Sequence, residues 1–248
     1  MAIKFTRLST SKEVLKLNWN YPVAHTFKET VQDKAGTSAV FVETALPKTK
    51  AFLKINGKDN RKPLLVLREC VLCKGSDHAL FDRRLNNEKT KLLSQWFYCV
   101  KLPPKVLEQT HPFRKLFQQK HPPHLFISTW DGKSIVEFSG EQTQTQLQKK
   151  MVKLIGQAYE KKPAPAVKAM LRFLSEFDKH DGMLTQYEDQ RQREMLRPQP
   201  RKANLAKLGA RIETTKKRRA LAIKRAKAVC DLELKVTSND LTPKENDR

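Results

Sequence analysis

The stretch KPLLVLRECVLCK, residues 62–74, joins an apolar run to two cysteines that are three positions apart. The consecutive apolar residues after Pro63 predict a buried strand. A C-x-x-C pair that follows a strand and precedes a helix lets two thiols interconvert with a disulfide, with one sulfur at the helix N-terminus and the other behind it. Cys70 and Cys73 are therefore the first candidates for chemistry in the chain.

Around this stretch, residues 61–160 alternate strand and helix signals, which is the pattern of an α/β sandwich. Asp131-Gly132 is a hairpin turn dipeptide, so the strands on either side of it are predicted to be antiparallel. An apolar stripe at helical spacing predicts a closing amphipathic helix. In chain order, the predicted elements are a strand over residues 62–67, a helix over 73–93, a strand over 95–100, a helix over 106–119, a strand over 124–129, its partner over 134–138 and the closing helix over 146–159.

This order of elements resembles that of a thioredoxin-like domain of the C-x-x-C type. Three sites carry the likeness: Lys62-Pro63 ahead of Cys70-Val-Leu-Cys-Lys74, Pro122-Pro123 at the start of an antiparallel strand, and the hairpin from Asp131-Gly132 to Gly140. Together they cover about two fifths of the chain. The resemblance implies an α/β three-layer sandwich with a mixed central sheet. It also matches Pro123 to the family's cis-proline, which lies against the disulfide and presents backbone to an extended substrate.

The roles of the two cysteines follow from thiolate stability. A thiol at a helix N-terminus is stabilised as the anion by unpaired N–H groups and by the helix dipole, which favours Cys70 as the nucleophile. Cys73, one turn further on, is then the resolving thiol that releases a mixed disulfide. We expect Pro123 and His124 to shape the substrate groove. The expected function is thiol–disulfide exchange with a protein substrate, without a metal or another cofactor.

The residues around the pair differ from those of ordinary thioredoxins. Val71-Leu72 replace glycine and proline, Glu69 replaces a tryptophan, and Leu64 replaces a buried aspartate. These differences favour a specialised, slow or redox-sensing relative. Two other interpretations stay open, namely a scaffold with inert cysteines and a zinc site completed by Cys99 and a histidine. A zinc site usually takes four ligands, often from two C-x-x-C pairs, and the sequence has one such pair.

The net charge of the chain is +23, with a pI near 10.0. This excess predicts a polyanionic neighbour, such as nucleic acid, an anionic membrane surface or an acidic protein. The basic residues gather after Pro200, and few aromatic residues lie among them, so binding would be nonspecific and salt-sensitive, without stacking on bases. The alternative is a solvated helix that binds nothing. The candidate polyanion-binding residues are Lys216, Lys217, Arg218, Arg219, Lys224 and Arg225.

The sequence divides by composition into three segments. Residues 1–58 form an N-terminal extension with short strands predicted over 38–44 and 51–55, and residues 59–160 form the thioredoxin-like domain. Residues 161–248 are helical and strongly basic, with a first helix that Gly182 is expected to interrupt. No stretch has the length of a membrane span or the apolar core of a signal peptide, so a cytoplasmic location is expected.

Overall fold

The computed structural model describes residues 6–22, 28–32, 41–56, 60–70, 87–117, 124–138 and 142–235. The helices and strands of these residues are, in chain order, α1 (Ser9–Val14), β1 (Lys28–Gln32), β2 (Phe41–Ala45), α2 (Lys48–Asn56), β3 (Leu64–Arg68), α3 (Glu88–Ser94), β4 (Tyr98–Leu102), two 3-10 turns (Pro104–Leu107 and Arg114–Phe117), β5 (Leu125–Ser128), β6 (Ile135–Glu137), α4 (Gln144–Ala158), α5 (Pro163–Met195) and α6 (Lys202–Cys230).

The chain forms two compact units, each made of two stretches of sequence. One unit, here called the helical unit, combines the chain up to Lys16 with Ala164–Asp231. The other, the sheet unit, combines Leu17–Pro163 with the chain from Leu232 onward. The N-terminal segment is therefore divided between the two units, and the basic helical segment ends by rejoining the sheet unit.

A four-stranded mixed sheet organises the sheet unit, with the strand order β4-β3-β5-β6. β3 and β4 are parallel, whereas β5 is antiparallel to β3 and β6 is antiparallel to β5. β3 lies between β4 and β5, since Leu64 pairs with Tyr98 on one side and with Ser128 on the other. A strand in this interior position is buried, which fits the apolar sequence of β3. The protein thus has the mixed α/β class that the sequence predicts. β1 and β2 form a separate antiparallel pair.

One face of the sheet is buried against α2 and the two 3-10 turns. Leu64 and Val66, which alternate along β3, belong to one apolar cluster with Phe52 of α2 and Phe113. The rings of Phe52 and Phe113 meet edge to face, with their centroids 4.9 Å apart, which is a favourable geometry for aromatic pairs. Ala51–Ile55, predicted as a strand, lies inside α2, because its buried residues recur at helical spacing.

The opposite face of the sheet is also buried. Leu65 and Leu67 point away from the first cluster because side chains alternate along a strand, and both are fully enclosed. The Tyr159 hydroxyl, at the end of α4, donates a hydrogen bond to the Trp96 carbonyl after α3 at 2.8 Å. The closing helix α4 is confirmed, and it begins at a capping box made by Thr143 and Gln146. The buried apolar side chains of α3 and α4 are Leu92, Leu93, Leu147, Met151, Leu154 and Ile155.

The predicted hairpin between β5 and β6 is confirmed. Gly132 has a φ of +71°, a left-handed conformation that glycine adopts without strain. A Cβ atom at this position would overlap the ring of Phe52, so the turn packs directly on the core. Asp131 stabilises the turn by accepting hydrogen bonds from the Thr129 hydroxyl and the Lys133 N–H group, at 2.7 and 3.1 Å.

Residues 106–117 do not form the helix predicted over 106–119. Over the described part of this range, the chain makes two short 3-10 turns, separated at His111-Pro112. Proline has no N–H group and disfavours a helical conformation in the residue before it, which explains the break. The helix predicted over 73–93 is described only in its last part, which lies in α3. Residues 71–86 lie outside the described part of the chain.

The helical unit is built on the long helices α5 and α6. Gly182 does not interrupt α5, which runs on to Met195. One glycine costs a helix about 1 kcal/mol, and the buried side chains of Phe177 and Leu184 on either side of it offset that cost. The buried residues of α6 are separated by three, seven and four positions, which places them on one face. They are Ile212, Thr215, Ala222 and Ala226.

After α6 the chain returns to the sheet unit in a short antiparallel pairing. Tyr159 and Leu234 form a bridge. The N–H groups of Glu160 and Lys161 donate to the carbonyls of Glu233 and Leu232, at 2.9 and 3.1 Å. The two chain ends of the helical segment therefore lie side by side.

Candidate functional site

The end of β3 and the start of β5 meet at one edge of the sheet, because the two strands are antiparallel. Leu67 pairs with Leu125, and one residue further the Arg68 N–H group donates to the His124 carbonyl at 2.8 Å. Cys70 follows Arg68 by two residues and is partly exposed. The structure thus brings the Cys70 and His124 segments to the same sheet edge, here called the thiol edge.

The side chains of Arg68 and His124 contact each other at this edge. Arg68 Nη2 lies 2.7 Å from His124 Nδ1. A guanidinium group has no acceptor, so the imidazole nitrogen accepts the bond and the ring is neutral with its proton on Nε2. Burial lowers the pKa of His124, and the positive charge of Arg68 lowers it further. His124 is therefore a neutral hydrogen-bond donor at the thiol edge.

Arg68 also supplies the positive charge of the thiol edge. Its Nε atom is buried and has no hydrogen-bond partner within the described ranges. Its backbone is fixed by β3, since the N–H group of the next residue, Glu69, donates to the Leu102 carbonyl of β4 at 2.9 Å. A cation held near a cysteine stabilises the thiolate, which is the reactive form.

The remaining predicted residues of the redox site have different outcomes. Cys73 and Pro123 lie outside the described residues, so their predicted roles stay predictions. Cys99 is buried in β4, and its burial raises the pKa of the thiol to about 12, although Lys62 opposes the shift. It is a core thiol, as its apolar sequence neighbours indicate. Across the described ranges, no cluster of His, Cys, Asp and Glu side chains could hold a metal ion.

The contact between Arg68 and His124 is a feature that sequence reasoning missed. The two residues are 56 positions apart, and no local motif links them. The pair could have been found from the strand register, because residue 124 falls opposite residue 68 once β5 is placed antiparallel beside β3. That placement requires the strand order, which the sequence pattern alone does not provide.

The second candidate surface is the solvent side of α6. This helix has ten basic residues and one acidic residue. Of the six candidates, Lys217, Arg218, Lys224 and Arg225 are exposed. Lys216 is exposed too, but it lies 3.1 Å from the Glu213 carboxylate. The predicted anion-binding residues therefore mostly point to solvent.

Arg219 differs from the other candidates because it points into the helical unit. Its guanidinium lies 2.9 Å from the buried carboxylate of Asp181. Asp181 also accepts hydrogen bonds from the Thr10 N–H group at 2.8 Å and from the Ser9 and Thr10 hydroxyls at 3.0 and 2.9 Å. Burial raises the pKa of Asp181, but these hydrogen bonds outweigh burial and the pKa is lowered. Asp181 is therefore ionised, and its carboxylate links α1, α5 and α6.

No known protein family, curated protein or solved structure matches this chain. No helix in the described part of the chain is long and apolar enough to cross a membrane. The chemistry of the two candidate surfaces therefore has to be argued from their own residues.

Proposed function

We propose that this protein is a thiol–disulfide oxidoreductase with a thioredoxin-like domain. The observation that carries the proposal is the position of Cys70, two residues beyond the central strand β3, at the edge where β5 begins. β3, α3 and parallel β4 form a βαβ unit, and a C-x-x-C pair beside such a unit is typical of thioredoxin-like redox motifs. The hairpin and α4 supply the later elements of that resemblance.

In the proposed reaction, the Cys70 thiolate attacks a disulfide of a protein substrate. The substrate disulfide breaks, one substrate thiolate leaves, and a mixed disulfide joins Cys70 to the substrate. Cys73 then attacks the Cys70 sulfur, which releases the second substrate thiol and leaves a disulfide between the two cysteines. The protein dithiol is oxidised and the substrate disulfide is reduced.

The described residues of the thiol edge support the first step. Arg68 is held in β3 with its guanidinium on His124, so its charge favours ionisation of a thiol at this edge. His124, with its proton on Nε2, can donate a hydrogen bond to a sulfur or to a substrate carbonyl. In the proposal, Pro123 shapes the groove in which the substrate lies.

Reduction of insulin by the protein and dithiothreitol tests this mechanism. We expect both Cys70→Ser and Cys73→Ser to lose activity, while Cys230→Ser, a matched control in the helical unit, retains it. With the wild-type resolving thiol removed, Cys73→Ser protein should accumulate a mixed disulfide, which Cys70→Ser protein cannot form. Unchanged insulin reduction in either active-site variant would refute the mechanism.

A second function, binding of a polyanion such as nucleic acid, is favoured by the charge of α6. Arg211, Arg218 and Arg225 recur every seven residues, so they lie along one side of the helix, and all three are exposed. Each phosphate contact made by such cations releases counterions, so binding should weaken steeply with added salt. The surface would recognise the backbone and not the base sequence.

Neutralisation of surface charges tests this second function. Point substitutions are preferable to deletion of α6, because deletion would remove the buried face of this helix from the helical unit. We expect Arg218→Gln combined with Arg225→Gln to weaken binding of a labelled duplex and to reduce its dependence on salt. Lys115→Gln combined with Lys133→Gln, in the sheet unit, is the control of equal charge. Equal weakening by both pairs would count against a site on α6.

A further inference from the structure

A cleft of about 370 Å³ lies where α5 ends and α6 begins, wholly within the helical unit. Four cationic side chains line it, Arg193 and Arg197 from the end of α5 and Lys207 and Arg211 from α6. One carboxylate, that of Glu194, also faces it. None of these five residues belongs to the thiol edge or to the six candidates on α6, and Arg211 alone is shared with the row of arginines on α6 described above.

The only carboxylate in this lining is already engaged by the protein. Glu194 is buried, and its Oε1 atom accepts the Arg201 N–H group at 3.1 Å. Its Oε2 atom lies 3.1 Å from the Arg197 guanidinium. Glu194 therefore stabilises the turn between the two helices and orients Arg197. The other three cations of the cleft, Arg193, Lys207 and Arg211, have no carboxylate partner among the residues that line it.

The spacing of the cations is unfavourable without an anion. Arg193 and Arg197 are four residues apart on α5, and Lys207 and Arg211 are four residues apart on α6. Like charges at this spacing on a helix repel and destabilise it. The two pairs also line the same cleft. An anion between them would remove this repulsion.

The contacts of Arg211 fix its position on the cleft wall. Its guanidinium carbon lies 5.7 Å from the centre of the Tyr187 ring, within the range of a cation–π interaction. Arg197 is oriented by Glu194 on the other wall. Guanidinium groups held in this way keep their planar donor edge available for phosphate oxygens, which they bind in pairs.

We propose that this cleft binds the phosphate chain of an oligophosphate, either inorganic or part of a nucleotide. Its volume is at the lower end of the range of about 300–1,000 Å³ for small-molecule sites. Three arginines and a lysine match several linked phosphates better than a single carboxylate. The lining has Leu208 as its one apolar side chain, so recognition should depend on phosphate and not on a base.

Calorimetric titration of the full chain with sodium tripolyphosphate and, separately, with ATP tests the proposal. The cleft variant is Arg193→Gln combined with Arg211→Gln. Its control is Lys168→Gln combined with Lys179→Gln, which removes the same charge from exposed positions of α5 outside the cleft. We expect at least about a tenfold loss of affinity in the cleft variant, because two guanidinium contacts are removed, and less than about a twofold loss in the control.

The two ligands identify the source of the phosphate chain. Equal affinity for tripolyphosphate and ATP would show that the site recognises only the linked phosphates. Markedly tighter binding of ATP would show that it recognises a nucleotide. Absence of binding to both, or equal losses in the cleft and control variants, would overturn the proposal. Because none of these variants touches Cys70 or Cys73, the result is independent of the redox proposal.

Glu194→Gln gives a second, opposite readout. The amide retains an oxygen that accepts the Arg201 N–H group but loses the negative charge that faces the cleft. We expect tighter binding of tripolyphosphate. Unchanged or weaker binding in a Glu194→Gln protein that melts at the wild-type temperature would count against the cleft as the site.

Discussion

The guanidinium of Arg68 lies 2.7 Å from Nδ1 of His124, which joins the last residue of β3 to the residue before β5. The backbones of the same two residues are also hydrogen bonded, at 2.8 Å. A double connection of this kind fixes both the strand register and the protonation state of the imidazole. The thiol edge therefore has a permanent cation and a neutral histidine around neutral pH.

The first prediction concerns the pKa of His124. NMR titration should give a value below the ordinary 6.5, because burial and the charge of Arg68 both disfavour the imidazolium. Arg68→Gln should raise this pKa, although not fully, since burial remains. Arg61→Gln, which removes a cation stacked on Trp130 at 4.0 Å, should leave it unchanged. An unchanged His124 pKa in the Arg68→Gln protein would exclude the electrostatic coupling.

The second prediction concerns stability in mild acid. Burial lowers the pKa of His111 to about 4, although Glu108 opposes the shift, and the pKa of His124 is lowered too. Unfolding lets both rings bind protons near pH 6.5, so acid favours the unfolded state. The free energy of unfolding should be highest above pH 6.5 and fall progressively toward pH 4.

Urea denaturation between pH 7.5 and 5 measures this effect. In the wild type, the Phe113 N–H group donates a hydrogen bond to His111 Nδ1 at 3.2 Å. The His111→Asn variant retains an acceptor for this bond, since its side-chain oxygen can replace Nδ1. It cannot titrate, so its midpoint should fall less on acidification than that of the wild type. A wild-type midpoint that is constant or rises from pH 6.5 to 5 would contradict the sign of the prediction.

The third prediction compares two glycines. Gly132→Ala should destabilise the protein by more than about 1 kcal/mol, because alanine is strained at positive φ and its Cβ would overlap the buried Phe52 ring. Gly156→Ala, inside α4 with no atom within 4 Å of the added Cβ, should stabilise it by about 0.5–1 kcal/mol. Thermal melting measures both, and shifts of the same sign would refute the comparison.

The fourth prediction concerns the helical unit. Asp181→Ala leaves the guanidinium of Arg219, the Thr10 N–H group and two hydroxyls of α1 without this acceptor, so it should cost about 3–5 kcal/mol. Glu213→Ala breaks an exposed pair with Lys216 and should cost less than about 0.5 kcal/mol. Chemical denaturation distinguishes the two, and comparable losses would show that Asp181 does not organise the unit.

The fifth prediction concerns thiol reactivity. Iodoacetamide should modify Cys70 in the folded, reduced protein at pH 8, since Cys70 is partly exposed. Cys99 should stay unmodified until urea is added, because burial raises the pKa of its thiol to about 12. Peptide mapping by mass spectrometry identifies the labelled residues. Early labelling of Cys99 would indicate that β4 opens readily.

Sequence reasoning was reliable where a local signal decides the structure. Asp131-Gly132 marks the hairpin, and the apolar stripe after Gln146 marks α4. It failed where tertiary contacts decide. Ala51–Ile55 is helical because Phe52 packs in the core. Gly182 lies inside a continuous helix because buried residues both precede and follow it along α5.

The same distinction, between local signals and tertiary contacts, applies to the residues of the candidate site. Cys70 is visible as part of a spaced motif, whereas its neighbours at the sheet edge depend on strand order. The packing of residues 7–11 on α5 is equally invisible, since the contacts of Ser9 and Thr10 with Asp181 span about 170 positions. The charge of α6 was evident from composition, but the cleft required the pairing of two helices.

The pairing of residues 159–161 with residues 232–234 changes how the helical segment can be handled genetically. Because the Lys161 N–H group donates to the Leu232 carbonyl at 3.1 Å, the segment between them leaves the sheet unit and comes back to nearly the same point. It is an insertion with adjacent ends and not an appendage. A short turn could replace it as a cassette if residues 6–16, which belong to the helical unit, are removed with it, and the same junction could accept a foreign domain.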